Sequence, residues 1–153
     1  MPISSVIQNS AKADLLRAGS NFNTAGGTPA GHAFKIALYT NSTTIDTTTT
    51  AYGGPSNEVS GAGYSSGGNA LTNTGVGTTT VTSFTDFSDT SWTSASFTAR
   101  GCLIYNTTAI TGLTANRAVC SITFGGDKTV SSGTFTIQFP ANDSSNAIIR
   151  ITS

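Results

Sequence analysis

The residues able to do chemistry are few, and their spacing argues for structure before catalysis. His32 is the single histidine of the chain. An imidazole works as a base or a metal ligand beside a nucleophile, a second ligand or a fixed carboxylate. No such partner lies near it in the sequence, so it reads as a structural histidine at the mouth of a strand. Asp86 and Asp89 stand three apart and can be read as paired carboxylates or as part of a calcium loop. A helix-loop-helix calcium site needs alternating oxygens and a distal Glu, which do not follow. In a Ser/Thr-rich turn the plainer role of both acids is to cap backbone N–H groups. Glycan hydrolysis would need two carboxylates facing each other ~5–9.5 Å apart in a groove, and the seven acids fall mostly in turns.

Cys102 and Cys120 each sit inside an apolar strand pattern. They read as small buried hydrophobes, the alternative being a disulfide between neighbouring strands, which would need an oxidising compartment. Two cysteines on different strands serve zinc poorly. Gly61-x-Gly63 and Gly75-x-Gly77 lack the strand-turn-helix setting that brings amides to a phosphate. Asn41, Asn106 and Asn142 open Asn-x-Ser/Thr triplets, which arise by chance in so Thr/Ser-rich a chain. Arg100 is more pointed. It lies on the polar side of a long strand just before that side turns apolar at Cys102, so it calls for a carboxylate or carbonyl partner, within the domain or across an interface. No cofactor or metal site is expected, and the chain reads as no enzyme.

The elements that would hold these residues follow from patterning. From Ala95 the odd positions read Ala95, Phe97, Ala99, Gly101, Leu103, Tyr105, against polar Ser94, Ser96, Thr98 and Arg100. That period of two marks a strand with one wet face. Cys102 and Ile104 add a second apolar face at its far end, and Trp92 falls out of phase with Phe97, which predicts a bulge or bend near Thr93. This strand belongs in the middle of a sheet. Strands are also expected over 32–39, near 70–71, over 76–81, 118–124, 134–140 and 147–151, with a Gly125-Gly126-Asp127 turn between two of them. Residues 5–18 are the only helix candidate, with Gly19 as its stop and Asn9 or Ser10 able to cap a shorter version. The fold class is therefore all-β, an antiparallel sandwich of jelly-roll or immunoglobulin-like kind, with residues 1–22 as an N-terminal helix or arm and residues 32–153 as the sandwich domain.

Composition narrows the partners. In 153 residues, 37% are hydrophobic and only 9% charged, seven of each sign. Disorder needs high charge, which is missing. Seven scattered Lys and Arg make no basic face for nucleic acid, no apolar run approaches the ~18 residues of a membrane span, and the first residues show no secretory pattern. Zero net charge gives little repulsion between copies and favours association.

Five stretches carry a resemblance: His-Ala-Phe-Lys-Ile-Ala-Leu-Tyr-Thr-Asn-Ser at 32–42, Asn-Glu-Val-Ser-Gly-Ala-Gly-Tyr at 57–64, Trp92 through Asn106, Phe-Gly-Gly-Asp-Lys-Thr at 124–129, and Thr-Ile-Gln-Phe-Pro-Ala-Asn-Asp-Ser-Ser-Asn-Ala-Ile-Ile-Arg-Ile at 136–151. In this order, over most of the chain, they resemble a family of small β-rich proteins encoded among the virion genes of tailed bacteriophages. The resemblance implies a capsid cement or decoration protein, held on the capsid exterior after synthesis in the host bacterial cytoplasm. Its expected partners are the major capsid protein and itself, as a trimer or dimer. The alternative is a tail-fibre, head-fibre or tail-tip protein contacting host glycans, with Tyr52, Tyr64 and Tyr105 stacking on sugars. For the cement reading the expected assembly residues are Ile3, Val6, Ile7, Leu15 and Leu16 on the arm, together with Arg100.

Overall fold

The computed structural model describes residues 2–153, an antiparallel β-sandwich with one short helix. The chain runs β1 (Val6–Ile7), α1 (Asn9–Leu16), β2 (Phe34–Tyr39), β3 (Asn69–Leu71), β4 (Asn73–Thr78), β5 (Thr82–Phe87), β6 (Thr90–Asn106), β7 (Arg117–Ile137) and β8 (Ile149–Thr152). One sheet has the order β1-β7-β6-β2-β3 and faces a smaller sheet, β4-β5-β8.

The long hairpin of β6 and β7 is the frame. It pairs from Thr90↔Ile137 to Asn106↔Arg117, with register shifts between Trp92 and Ala95, between Ala95 and Phe97, and between Ala99 and Gly101. The first shift, with Ser94 in the left-handed region at φ 49°, lies where Trp92 falls out of phase in the sequence. At the shift after Ala99, residues 124–127 of β7 stand opposite Arg100 alone. Gly125 sits there at φ 73°, where a side chain would be strained. The expected Gly125-Gly126-Asp127 turn is thus a bulge inside one continuous strand, because β6 runs on alongside and offers partners on both sides of it. The same irregularity flips the phase of β6. Ala95, Phe97 and Ala99 share the inter-sheet core with Cys102 and Ile104, while Leu103 and Tyr105 turn to the outer face.

Two cores result. The main one, between the sheets, gathers Phe22, Phe34, Ile36, Leu38, Phe87, Trp92, Phe97, Phe135 and Ile149 among others. Phe22 stacks on Phe34 at 4.8 Å, and Trp92, Phe97 and Phe135 meet edge-on or tilted at 5.2–6.5 Å. A second cluster on the outer face of the large sheet holds Ile3, Ala37, Tyr39, Ile45, Leu103, Tyr105 and Ala118, so this sheet is covered on both sides. β5, which the sequence hides because Ser83, Thr85 and Phe87 carry little apolar alternation, forms through its ladders to β4 and β8.

The first 22 residues do not stand apart as an arm. Val6 and Ile7 pair with Ser121 and Cys120 as an edge strand, which shortens the expected helix over 5–18 to Asn9–Leu16. The extended backbone at Gln8 breaks the helix there, and Gln8 is fully buried, its amide bonded to Ser121 Oγ at 2.9 Å. Ile3 is 5% exposed in the outer core, and Ile7 and Leu15 pack against the main core. Only Leu16, 91% exposed, is left free among the five apolar residues assigned to an arm, and Val6 is half-buried. Deleting residues 1–20 would strip an edge strand and a core side chain from the domain.

Ile3→Ala is accordingly expected to lower the unfolding free energy by about 2–5 kcal/mol, the range for a large apolar residue removed from a core. Leu16→Ala should change it by no more than about 0.5 kcal/mol. Chemical denaturation of the two variants beside the parent chain measures both.

Candidate functional site

Each acid in the chain has a structural partner. Glu58 is the most elaborate case. It is the only charged residue other than Lys or Arg between Asp46 and Asp86, and in fact the only charged residue of any kind there. Its carboxylate accepts from Tyr64 Oη and the Gly67 N–H through Oε1, both at 2.7 Å, and from Tyr52 Oη at 2.7 Å and Ser66 Oγ at 2.9 Å through Oε2. Gly68 permits the approach of this loop: it lies at φ 65°, and a Cβ there would collide with the Ile36 carbonyl. Burial pushes the Glu58 pKa up, but the hydrogen bonds outweigh it and hold the carboxyl below its ordinary value. All four tyrosines converge here. Tyr105 Oη donates to the Gly67 carbonyl at 2.7 Å, Tyr39 Oη to the Tyr52 carbonyl at 3.4 Å, and the Tyr52 and Tyr105 rings stack at 4.6 Å. Burial raises the pKa of each of the four phenols, which stay protonated donors. Tyr52, Tyr64 and Tyr105 are therefore tied into the loop and not set out as platforms for sugar rings.

The other acids hold backbone. Asp86 accepts from the N–H of Phe87 at 2.8 Å and of Ile148 at 3.2 Å, and Asp89 accepts from the Phe139 N–H at 2.8 Å. Burial pushes the Asp86 carboxyl up, against the pull of those two N–H groups. The two aspartates are capping acids, as their turn context predicts, and they fasten the C-terminal segment to the small sheet. Asp46 caps Thr48, and Asp143 caps Ser145 and Asn146.

The remaining two acids meet arginines, and the sequence singles out the less important one. Arg100 finds its carboxylate within the domain: Nη1 lies 3.2 Å from Asp127 Oδ1, with the two side chains 36% and 44% exposed. Arg117 is 2% exposed. Its Nη2 donates to the Gly19 carbonyl at 2.7 Å, Nη1 to the carbonyls of Thr108 and Thr114 at 3.2 and 3.3 Å, and Nε faces Asp14 Oδ2 at 3.5 Å. Its signal in the sequence is an arginine set directly against the apolar run Ala118-Val119-Cys120.

His32 lies beside this pair. Its Nδ1 accepts from the Asn21 N–H at 3.3 Å and meets Asn106 Nδ2 at 3.0 Å. Burial, and then the charge of Arg117, lower its pKa, so it serves as a neutral acceptor. Cys102 and Cys120 are buried free thiols with pKa values raised by burial. They oppose Ile122 and Ile104 in turn, a diagonal pair on one face of the hairpin; such neighbours stand ~7–8 Å apart, beyond disulfide reach. Among the described residues no three His, Cys, Asp or Glu side chains gather as a metal site.

What the fold leaves open is apolar surface. A groove of about 530 Å³ runs between residues 15–32 and the small sheet, lined by Leu15, Phe22, Val76, Phe84, Ile149 and Ile151, with no charged side chain. Val76 and Ile151 are 56% and 59% exposed there. A second groove, about 540 Å³, lies along β7 between Phe124, Phe135, Ile137, Phe139 and Ile148. Among the described residues, the outer edge of β7 beyond Ile122 has no strand partner, since β1 reaches only Cys120 and Ser121.

No family model matches the chain, and no curated protein or solved structure is significantly similar to it.

Two variants should separate the arginines. Arg117→Ala leaves Asp14 buried without its partner and is expected to cost about 3–5 kcal/mol, whereas Arg100→Ala should cost about 0–1 kcal/mol; both are read by denaturant titration. Glu58→Gln is expected to lose about 1–3 kcal/mol at neutral pH. Because folding depresses the Glu58 pKa, its contribution is complete above the ordinary value of 4.5 and fades as pH falls through the folded pKa. The stability gap between parent and Gln variant should therefore narrow with acid below about pH 4.5, measured by Tm across a pH series.

Proposed function

We propose that this chain is a structural protein of a tailed-bacteriophage particle, a cement or decoration protein that clamps subunits of the major capsid protein from outside. The observation that carries this reading is a division of labour in the surface. Every carboxylate is engaged in holding loops or arginines, while Leu16, Val76, Ile151 and two apolar grooves are left outside the core. Exposed apolar patches of this kind mark contacts between proteins. A clamp needs a stiff body and surfaces to be held by; the hairpin of β6 and β7, covered on both faces at its β2 end, supplies the stiffness. The resemblance of the stretches in 32–151 supplies the kind of particle.

The structure shifts the expected contact surface. Of the assembly residues read from the sequence, Ile3, Ile7 and Leu15 are used inside the fold, Val6 is tied into the β1 pairing, and Arg100 is paired with Asp127. Leu16 is the one that remains available, at the C-terminal end of α1. The fibre or tail-tip alternative loses the aromatic platforms that motivated it.

Quantitative mass spectrometry of purified particles is expected to show this chain in hundreds of copies, at a fixed ratio to the major capsid protein. A few copies per particle would point to a fibre, and none would overturn the virion reading. Leu16→Asp should leave Tm within about 2 °C, as for an exposed site, and lower capsid occupancy at limiting protein by at least ~tenfold, equivalent to about 1.4 kcal/mol. Unchanged occupancy would remove Leu16 from the contact.

A further inference from the structure

The seam between the N-terminal segment and the body is unlike the rest of the interior. Residues 2–16 dock through backbone bonds of Ser4 to Ile45, Gln8 to Val119 and Asn9 to Thr47, through the two-residue strand β1, and through Asp14 on Arg117. Of the buried side-chain atoms without a hydrogen-bond partner among the described residues, Gln8 Oε1, Ser10 Oγ and Arg117 Nε all lie on this seam, against Trp92 Nε1 and Asn142 Oδ1 elsewhere. A polar cavity of about 140 Å³, lined by Ser10, Asp14, Thr50, Leu113, Thr114 and Arg117, opens beside them, large enough to admit water. A second cavity, about 260 Å³, is lined from both sides of the seam, by Ser5, Val6 and Ile7 and by Cys120, Ile122 and Ile148. Helix α1 is weak by itself. It has eight residues, no side-chain N-cap, no acid in its first turn and no base in its last. Two residues past its end Ala18, a non-glycine residue, is held at φ 57°, a conformation that release of the segment would relax.

We propose that residues 2–17 are a detachable strap, and that the strip of β7 and the 45–47 loop beneath it accepts the same strap from a second copy of the chain. Ile3, Ile7 and Leu15 anchor the segment by apolar contact, but the unpartnered polar atoms gathered beside them are readily hydrated, and local opening draws on such contacts. The occupant follows from identity: a sister strap reproduces each bond the resident strap makes, so exchange alters only the path through Arg17–Gly19. The one carboxylate of the seam, Asp14, is answered within it by Arg117 and Arg17, and the chain carries no net charge to repel its copy. This inference concerns the isolated protein and does not rest on the virion reading.

The two native thiols report on the strap. Cys120 pairs with Ile7 under it and borders the second cavity, whereas Cys102 is sealed deeper between β2 and β7. With a thiol reagent under native conditions, Cys120 of the unmodified chain is expected to react at least ~tenfold faster than Cys102, as for a local opening set against a global one. Asp14→Asn should raise the Cys120 rate further and leave Cys102 less affected. Equal rates for the two thiols would overturn the strap. Exchange is read by oxidising a Val6→Cys/Ser121→Cys variant, whose two sites face each other across the β1–β7 pair. A disulfide-linked dimer on a non-reducing gel, increasing with protein concentration during refolding, supports exchange. Linkage within single chains at every concentration overturns it.

Discussion

A guanidinium with 2% exposure has to be answered on all sides, and the arrangement around Arg117 decides where the first twenty residues lie. Removing such a group from water costs several kcal/mol, and here the cost is met by three carbonyls from two different loops and one carboxylate from a helix. Apolar residues of the same volume often hold a seam as firmly as a buried ion pair does. What Arg117 adds is position. Asp14 must sit on the inner side of α1, the Gly19 carbonyl must return to the same guanidinium, and the chain must turn sharply at Ala18 to satisfy both. Gly19 itself is confined, since a Cβ there would stand 2.6 Å from Leu113 Cδ1. Asn106 and His32 then take up the neighbouring donors and acceptors, so one buried cation organises the start of the chain, the mouth of β2 and the end of β6.

How much of this is legible in the sequence depends on whether a residue's partners are near in the chain. The alternation in 92–106 locates the central strand, its bulge near Thr93 and its two apolar faces, because each depends only on local periodicity. The β5 strand is not legible. Its threonines and serine gain their place from ladders to residues 73–78 and 149–152, which no local pattern announces. Nor is the continuity of β7, where two glycines and an aspartate carry turn chemistry that an adjacent long strand overrides. The amphipathic spacing of Val6, Ile7, Ala11 and Leu15 is real, but it is shared between a strand and a helix because Gln8 is pulled inward by Ser121, more than a hundred residues away.

The same distinction governs the candidate site. Asp86 and Asp89 are recognisable as capping acids from their turn. Glu58 is foreshadowed only by being the single charge in a long neutral stretch, and its four donors gather because Gly67 and Gly68 let the loop fold back on β2. Arg100 draws attention in the sequence since it stands at a change of face; Arg117 is the one that matters, since burial is a property of the assembled sheets. An exposed pair at 3.2 Å and a buried arginine with four partners look alike as letters in a strand.

The open apolar surface follows from a mismatch in strand length. β6 and β7 have 17 and 21 residues, roughly 55–70 Å of extended chain at about 3.3 Å each. The facing sheet is built from strands of six, six and four residues, roughly 13–20 Å long. A short layer against a long one cannot cover it, and the loop 41–68 fills in on both faces of the large sheet, with Ile45 in the outer cluster and Val59 in the inter-sheet core. An isolated monomer usually protects an unpaired strand edge with charge, proline or a covering helix, yet residues 128–137 carry a single charge, Lys128, and no proline. With the acids already engaged in capping loops or pairing arginines, the chain has little charge left for that protection. The composition and the topology therefore act together: few charges and an unpaired stretch of strand leave a nearly uncharged edge along β7.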